Sequence, residues 1–232
     1  MRTVLIAGAS RGLGRCFVRK YLEDGWRVLA GVRRKGSLGE LKERYPESLY
    51  ELAMDVSDTG SVQEAAREAK NITDEIELVI NNAGIHSASS FEELEKTDLD
   101  DCDAVYDVNA VGPLRVVKAF LPLLQKNGRG LIANISSESG SIGEARREKE
   151  FDYGMSKAAL NMATKLLDNY LNTRGIRVIA VHPGWMRTDM GGQDAELDPF
   201  ETAVRLAELF ERFDRRDRSL IFMDNEGRRF PW

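Results

Sequence analysis

A tyrosine and a lysine four residues apart, Tyr153 and Lys157, lie near the start of a long stretch with helical periodicity. Residues at positions i and i+4 share one face of a helix, so the phenol and the ammonium group should be neighbours. A nearby ammonium stabilises the phenolate and lowers the pKa of the phenol from about 10. Such a tyrosine could act as a general acid or base. The spacing also occurs by chance on helices, so it needs supporting residues.

A glycine-rich loop follows the first apolar run of the chain. Glycines allow a tight turn and a close approach of the backbone to a ligand, and a helix N-terminus favours a negative charge. A strand before the loop and a helix after it predict a binding site for the pyrophosphate of a dinucleotide, with a plain strand-to-helix turn as the alternative. The spacing is G-x-x-x-G-x-G. The expected contacts are Gly8, Ser10, Arg11, Gly12, Leu13 and Gly14.

The end of the second predicted strand indicates which dinucleotide is bound. Val32 is followed by Arg33, Arg34 and Lys35, with no acidic residue. An acid at this position binds the ribose 2′-hydroxyl of NAD, whereas an arginine binds the 2′-phosphate of NADP. The sequence therefore favours NADP(H) over NAD(H), with Arg33 as the main phosphate ligand and Arg11 approaching the same group. Solvated loop charges are the alternative.

Asp55 follows the third predicted strand and has two possible roles. Its carboxylate could accept a hydrogen bond from the adenine amino group of the cofactor. It could equally cap the helix that is predicted to begin at Ser61. Val56, the next residue, is expected to contact the cofactor at the same place.

Short apolar runs alternate with amphipathic stretches along the whole chain, which predicts alternating strands and helices. This pattern indicates parallel strands joined by right-handed crossovers. The predicted fold class is α/β, a doubly wound parallel sheet of the Rossmann type with helices on both faces, and residues 1–232 are expected to form a single domain. Strands are predicted at residues 3–7, 28–32, 50–54, 78–80, 131–135, 177–181 and 220–223. Helices are predicted at residues 11–24, 38–45, 61–70, 91–109, 113–126, 153–173 and 199–213.

Composition excludes several classes of function. The 38 acidic and 33 basic residues give a net charge of −5, which does not predict a nucleic-acid-binding surface. The two cysteines and two histidines lie in no spacing typical of a metal site or a disulfide framework. No apolar run is long enough for a membrane span. The sequence predicts a cytoplasmic protein with no metal, nucleic-acid or membrane partner.

Six motifs follow one another along nearly the whole chain. They are the glycine loop, Asn81-Asn82-Ala83-Gly84, Asn109, Ile135-Ser136-Ser137, Tyr153-x-x-x-Lys157, and Pro183-Gly184 with Thr188. Together they resemble the motifs of the short-chain dehydrogenase/reductase family. Residues 182–185 and 188–190, after the sixth predicted strand, and the last residues 227–232 are similar to a branch with C-factor-like proteins and small carbonyl reductases.

The resemblance implies a role for each of these residues. Tyr153 would give a proton to a carbonyl oxygen, and Lys157 would lower the pKa of Tyr153 and bind the nicotinamide ribose. Ser137 would hydrogen-bond the substrate oxygen, and Asn109 would hold a water that links Lys157 to solvent. The adenosine ribose and the nicotinamide carboxamide would be contacted by Asn82, Ala83, Gly84, Pro183, Gly184 and Thr188.

The implied function is an NADP(H)-dependent oxidoreductase, carbonyl reductase-like, that transfers a hydride between nicotinamide and a carbonyl or alcohol substrate. A homodimer or homotetramer is implied as well, with the predicted helices 113–126 and 153–173 at a four-helix interface. The alternative is a dinucleotide-binding regulatory or signalling protein with weak catalysis.

The sequence departs from the family pattern near the substrate. Ala7 replaces a usual threonine, and the distance from Ser137 to Tyr153 is a few residues longer than usual. The extra length falls in the charged segment 144–151, which is expected to form a loop at the mouth of the site. Glu138 and Ser139 follow the serine directly and could contact the substrate. The segment after Thr188 is short, so a relatively open pocket is expected.

Overall fold

Seven parallel strands form one sheet in the computed structural model, which describes residues 1–124, 128–213 and 221–232. The strands are β1 (Thr3–Ala7), β2 (Arg27–Val32), β3 (Leu49–Ala53), β4 (Leu78–Asn81), β5 (Gly130–Ile135), β6 (Ile176–His182) and β7 (Phe222–Asp224). Their order is β3-β2-β1-β4-β5-β6-β7, and every neighbouring pair is parallel.

Helices cover both faces of this sheet. They are α1 (Gly12–Glu23), α2 (Gly39–Arg44), α3 (Thr59–Lys70), α4 (Cys102–Tyr106), α5 (Gly112–Phe120), α6 (Phe151–Leu171) and α7 (Pro199–Arg212). The protein has two hydrophobic cores, one on each face of the sheet. Phe17 of α1 and Phe210 of α7 pack in one core, and Val62 of α3 and Phe120 of α5 pack in the other. The predicted doubly wound α/β fold is confirmed. Within the described ranges, no helix combines the length and the apolar character that crossing a membrane requires.

The sheet has its switch point between β1 and β4. The chain moves from β1 outward to β2 and β3, then returns to the other side of β1 and continues through β4 to β7. Ligands of such sheets bind in the crevice outside the carboxyl ends of the strands, where the order reverses. The glycine loop follows β1 and Asn82 follows β4, so both lie at this crevice.

The prediction of one helix over residues 91–109 is wrong. The structure has two short 3-10 turns there, Leu94–Lys96 and Leu99–Asp101, before α4 begins, and a π-helical turn, Asp107–Val111, leads into α5. Aspartates compete with helical backbone hydrogen bonds. The side chain of Asp98 accepts a hydrogen bond from the Asp100 backbone N–H, which ends the regular pattern locally.

The end of the helix predicted over residues 113–126 also differs. Helix α5 ends at Phe120, and a 3-10 turn, Leu121–Leu123, replaces the continuation predicted to residue 126. Pro122 explains this end, because proline lacks the backbone N–H that a helix interior requires. Residues 125 and 126 of this predicted helix, and residue 220 of the last predicted strand, lie outside the described residues.

Candidate active site

The residues predicted to be catalytic meet at the carboxyl end of β5 and the first turns of α6. Ser137 lies two residues beyond β5, and Tyr153 and Lys157 lie on one face of α6. The Lys157 Nζ is 5.4 Å from the centre of the Tyr153 ring and donates a hydrogen bond of 2.8 Å to the Ile135 carbonyl oxygen. Lys157 is only 3% exposed, and this burial lowers its pKa to about 8.

The predicted lowering of the Tyr153 pKa by Lys157 stays a prediction, and the largest influence on this pKa in the structure is burial. Burial raises the pKa of Tyr153 to about 12, and a hydrogen bond with Ser137 opposes that rise. The charge of Glu138 raises this pKa further. The ammonium of Lys157 is directed at a backbone carbonyl rather than at the phenol oxygen. Tyr153 is therefore a protonated group at neutral pH in this arrangement.

Ser137 caps a short 3-10 turn, Glu138–Gly140, and is held by its neighbours. Its Oγ donates to Glu138 Oε2 at 2.7 Å and accepts from the Ser139 backbone N–H at 3.1 Å. The Ser139 hydroxyl is 3.2 Å away. The hydroxyl hydrogen of Ser137 is thus directed at a carboxylate, a partner that sequence reasoning did not assign to it.

Asn109 lies in the π-helical turn and is fully buried. Its Nδ2 donates to the Ile85 carbonyl oxygen at 2.7 Å and to Ser156 Oγ at 2.9 Å, and its Oδ1 accepts from the Ile85 N–H at 2.8 Å. A Cβ placed on Gly84 would lie 3.4 Å from Asn109 Oδ1 and 3.5 Å from Lys157 Nζ. Asn109 therefore fixes the loop after β4 beside Lys157. Its role in holding a water stays a prediction.

The glycine loop has the shape that a dinucleotide pyrophosphate requires. Gly8 has a φ of +78°, which other residues rarely adopt. A Cβ on Gly14 would lie 2.1 Å from the Gly8 carbonyl oxygen and 2.6 Å from Asn82 Nδ2. Arg11 is the N-cap of α1, and its side chain makes no capping hydrogen bond to the helix. Helix N-termini bind anions through their free backbone N–H groups, so the loop fits the predicted pyrophosphate.

The cations after β2 differ in their partners. Lys35 Nζ pairs with Glu68 Oε1 at 2.7 Å. Arg33 and Arg34 are exposed and make no hydrogen bond or ion pair with residues in the described ranges. The Glu51 carboxylate holds the following turn by accepting from the Gly36 N–H at 2.6 Å. Two guanidinium groups therefore stand at the edge of the crevice, available to an anion.

Arg11 has a partner that the sequence did not predict. Its Nη1 pairs with Asp189 Oδ2 at 2.6 Å, and both side chains are exposed. A Cβ on Gly12 would lie 3.5 Å from the Thr188 methyl group. The loop after β6 and the glycine loop therefore face each other across the crevice.

Asp55 does not cap α3, so that alternative is wrong. Asp58 is the cap, because its Oδ1 accepts from the Ser61 N–H at 2.9 Å. The Asp55 Oδ1 accepts hydrogen bonds from the Ser57 N–H at 2.9 Å and from the Ser57 hydroxyl at 2.6 Å, and these bonds lower the pKa of Asp55.

Val56 is buried and packs against Gly112. A Cβ added to Gly112 would lie 3.0 Å from the Val56 Cγ2.

The remaining predicted cofactor contacts line the same crevice. Pro183 lies just beyond β6, and its carbonyl oxygen accepts from Asn225 Nδ2 at 2.9 Å. A Cβ on Gly184 would lie 2.4 Å from Leu197 Cδ1, so the loop packs closely there. A Cβ on Gly8 would lie 2.7 Å from the Ala83 Cα, which places the turn after β4 against the glycine loop.

A cavity of about 580 Å³ lies next to the first turn of α6. It borders Glu138, the charged segment 144–151, the first turn of α6 and the C-terminal Phe230. The charged segment therefore forms a wall of this cavity, at the place where the sequence predicted a loop.

Sequence reasoning missed two groups in this region. Arg147 pairs with the carboxylates of Glu138 and Glu150. Asp152 is buried and accepts from the Ser87 N–H at 2.8 Å and the Ser90 hydroxyl at 2.6 Å, which ties the loop after β4 to α6. An acidic residue directly before the predicted helix 153–173 was the signal for Asp152. The pairing of Arg147 has no local signal in the sequence.

Metal binding finds no support in the side chains of the described ranges. They contain no group of three or more histidine, cysteine, aspartate or glutamate residues arranged to hold an ion.

Comparisons with known proteins agree with this geometry. The family model for short chain dehydrogenase matches residues 2–198. An uncharacterised oxidoreductase of Schizosaccharomyces pombe, C663.08c, is 34% identical over 202 residues, which are 84% of this chain and 79% of that protein. The C-signal protein of Myxococcus xanthus is 34% identical over 160 residues, which are 69% of this chain and 95% of that protein.

Among solved structures, the NADPH-bound carbonyl reductase from chicken fatty liver has a similar fold. It superposes with a TM-score of 0.89 at 30% identity, over 100% of this chain and 99% of that chain. The chain therefore belongs to the short chain dehydrogenase family and is an NAD(P)-dependent oxidoreductase that acts on a small molecule.

Proposed function

We propose that this protein reduces a carbonyl compound with NADPH, or oxidises the corresponding alcohol with NADP, and that Tyr153 is its general acid and base. The observation that carries the proposal is the placement of Tyr153 beside buried Lys157, with Ser137 on the facing loop. Burying a lysine without an ion-pair partner is unfavourable, and such costs are typical of functional sites. The likeness to an NADPH-bound carbonyl reductase supports the same substrate class.

The roles of the side chains follow from their protonation. The bound dinucleotide supplies or accepts the hydride. Tyr153 holds its proton at neutral pH because burial raises its pKa to about 12, so it can donate that proton to the carbonyl oxygen. Ser137 hydrogen-bonds the same oxygen and orients it. The Lys157 ammonium stabilises the phenolate that remains and binds a ribose hydroxyl. In alcohol oxidation these proton transfers run in reverse.

A substrate and cofactor panel tests the catalytic assignment. Aldehydes, ketones and quinones are offered with NADPH or NADH, and the absorbance of the reduced cofactor is followed. We expect turnover with NADPH, and we expect Tyr153→Phe to lower kcat about 100-fold or more because the proton donor is lost. NADPH binding, measured by its fluorescence, should survive the change. A Tyr153→Phe variant with wild-type turnover would remove Tyr153 from the mechanism.

We propose NADP(H) as the preferred cofactor because Arg33 and Arg34 are exposed beside the crevice and make no hydrogen bond or ion pair with the described residues. The 2′-phosphate would pair with Arg33, and Asp55 would contact the adenine. The proposed contacts are Gly8, Ser10, Arg11, Gly12, Leu13, Gly14, Arg33, Asp55, Val56, Asn82, Ala83, Gly84, Tyr153, Lys157, Pro183, Gly184 and Thr188.

Arg33→Ala separates the two cofactors. Removing a charge-assisted contact to the 2′-phosphate should raise the Kd for NADPH about tenfold or more and change the Kd for NADH little. Lys35→Ala is the matched control, because Lys35 is already paired with Glu68. Fluorescence titration with each cofactor gives both constants. Equal losses for NADPH and NADH in Arg33→Ala would contradict the phosphate assignment.

A regulatory or signalling role with weak catalysis is the second candidate, and the similarity to the C-signal protein favours it. A wild-type turnover rate no higher than that of the Tyr153→Phe variant would support the regulatory role over catalysis.

A single domain over residues 1–232, a homodimer or homotetramer and a cytoplasmic location stay predictions of the sequence.

A further inference from the structure

The carboxylate of Glu138 is held directly beside the serine proposed to bind the substrate oxygen. Its Oε2 accepts the Ser137 hydroxyl at 2.7 Å and lies 3.3 Å from His182 Nδ1. Its Oε1 pairs with Arg147 from the charged segment. The backbone N–H of Glu138 donates to His182 Nδ1 at 3.1 Å. Both the side chain and the backbone of Glu138 are therefore fixed.

The same carboxylate faces the substrate space. Glu138 lines the cavity of about 580 Å³, and its side chain is 34% exposed. Burial raises the pKa of Glu138, but hydrogen bonds from Ser137 and Arg147 and the nearby His182 bring it below its usual value. Glu138 is consequently ionised at neutral pH, and a substrate in the cavity meets a negatively charged acceptor next to Ser137.

A serine hydroxyl has one hydrogen to donate. When Ser137 gives this hydrogen to a substrate carbonyl oxygen, Glu138 Oε2 loses its donor. A partly buried carboxylate oxygen left without a hydrogen-bond donor is unfavourable, so binding of a simple ketone carries a free-energy cost. A substrate with a hydrogen-bond donor on the carbon next to the carbonyl would remove this cost. Its hydroxyl would take the place of Ser137 on Oε2 while Ser137 turns to the carbonyl oxygen.

We propose that Glu138 is a specificity-determining residue that selects α-hydroxy carbonyl substrates by accepting a hydrogen bond from their hydroxyl group. In the reduction, the hydride from the nicotinamide forms the new C–H bond at the carbonyl carbon, and Tyr153 gives its proton to the carbonyl oxygen. The neighbouring hydroxyl keeps its own proton, and the product is a 1,2-diol. Arg147 is a positioning residue that holds Oε1. This inference rests on the proposed carbonyl reduction.

Three small ketones of similar size test the selection. In 1-hydroxypropan-2-one the substituent can donate a hydrogen bond, in 1-methoxypropan-2-one it withdraws electrons but cannot donate, and in butan-2-one it does neither. Wild-type protein with NADPH should show a kcat/KM for the hydroxy ketone about tenfold or more above that for the methoxy ketone, as a hydrogen bond to a charged acceptor predicts. Glu138→Gln and Glu138→Leu should each reduce this ratio, the leucine variant to near unity.

Glu64→Gln is the matched control. Glu64 is an exposed residue of α3 that pairs with Arg67 at 2.7 Å, and it is not among the residues that line the cavity. Its ratio should equal the wild-type ratio. Equal ratios in wild type and both Glu138 variants would overturn the inference, as would turnover of benzaldehyde without turnover of the hydroxy ketone. Absence of turnover with every carbonyl compound would instead remove the proposed function itself.

Discussion

At the residue scale, Lys157 shows what the site demands of a single side chain. Lys157 is only 3% exposed, and its ammonium donates a hydrogen bond to the Ile135 carbonyl oxygen at the end of β5. Burial disfavours the charged form and lowers the pKa of Lys157 to about 8, and no carboxylate of residues 1–124, 128–213 or 221–232 pairs with it. The residue is thus kept at a cost in stability, which is expected where catalysis and folding make different demands.

Lys157→Met should stabilise the fold at pH 7 while abolishing turnover. The folded pKa of Lys157 is about 8 and its ordinary value is 10.5, so between these values the unfolded chain binds more protons and stability rises with pH. The shift corresponds to about 3 kcal/mol at pH 7, and the lost hydrogen bond offsets about 1 kcal/mol of it. The expected gain is therefore about 2 kcal/mol at pH 7, and this gain vanishes at high pH.

Urea unfolding at pH 7 and pH 10 measures this difference. Lys165→Met is the control, because Lys165 lies on the same helix and is exposed. It should change stability little at either pH. Loss of stability in Lys157→Met at pH 7, beyond that of Lys165→Met, would show that the burial cost of Lys157 is small.

At the scale of elements, the start of α1 is fitted closely to two strand ends. Gly14 lies in the first turn of α1 and approaches the carbonyl of Gly8 after β1 and the side chain of Asn82 after β4. Asn82 Nδ2 also donates to the Gly8 carbonyl oxygen at 2.9 Å. These contacts set the distance between helix and sheet, and so they shape the loop that the pyrophosphate is expected to occupy.

Gly14→Ala should disrupt this junction. Its Cβ would meet the Gly8 carbonyl oxygen at 2.1 Å, so backbone must move. We expect a loss of at least about 2 kcal/mol in the free energy of unfolding and weaker NADPH binding, because overpacking strains a close-packed site. Thermal unfolding and fluorescence titration measure the two effects. Gly39→Ala at the start of α2 is the control, since a Cβ there meets no atom of the described residues within 4 Å. Equal effects of the two alanines would refute the packing argument.

At the scale of the whole molecule, the site exists because distant segments end at one edge of the sheet. The ends of β1, β4, β5 and β6 bring together the glycine loop, Asn82, Ser137 and Pro183. On the outer surface, α6 presents exposed Met162, Leu166 and Tyr170 along one face. These side chains support the predicted homodimer or homotetramer with helices at its interface, a prediction that light scattering across concentration tests.

The sequence by itself determined the fold class and the motifs at the strand ends. Apolar periodicity is a local property, so it predicted the order of strands and helices. The spacing of four residues pointed to Tyr153 and Lys157, and the resemblance to a known family pointed to Ser137. The helix over residues 91–109 was wrong because local aspartate hydrogen bonds compete with periodicity, which a pattern of apolar residues does not register.

Only the tertiary structure decided the partners and charges of the site. Arg11 pairs with Asp189, Glu138 with Arg147, and Lys157 with the Ile135 carbonyl, and each pair joins segments that the chain brings together only by folding. The pKa values of Tyr153 and Lys157 move in directions set mainly by burial, not by their spacing of four residues. Burial and charge depend on every element packed around a group, and helical spacing reports only its nearest neighbours along the chain.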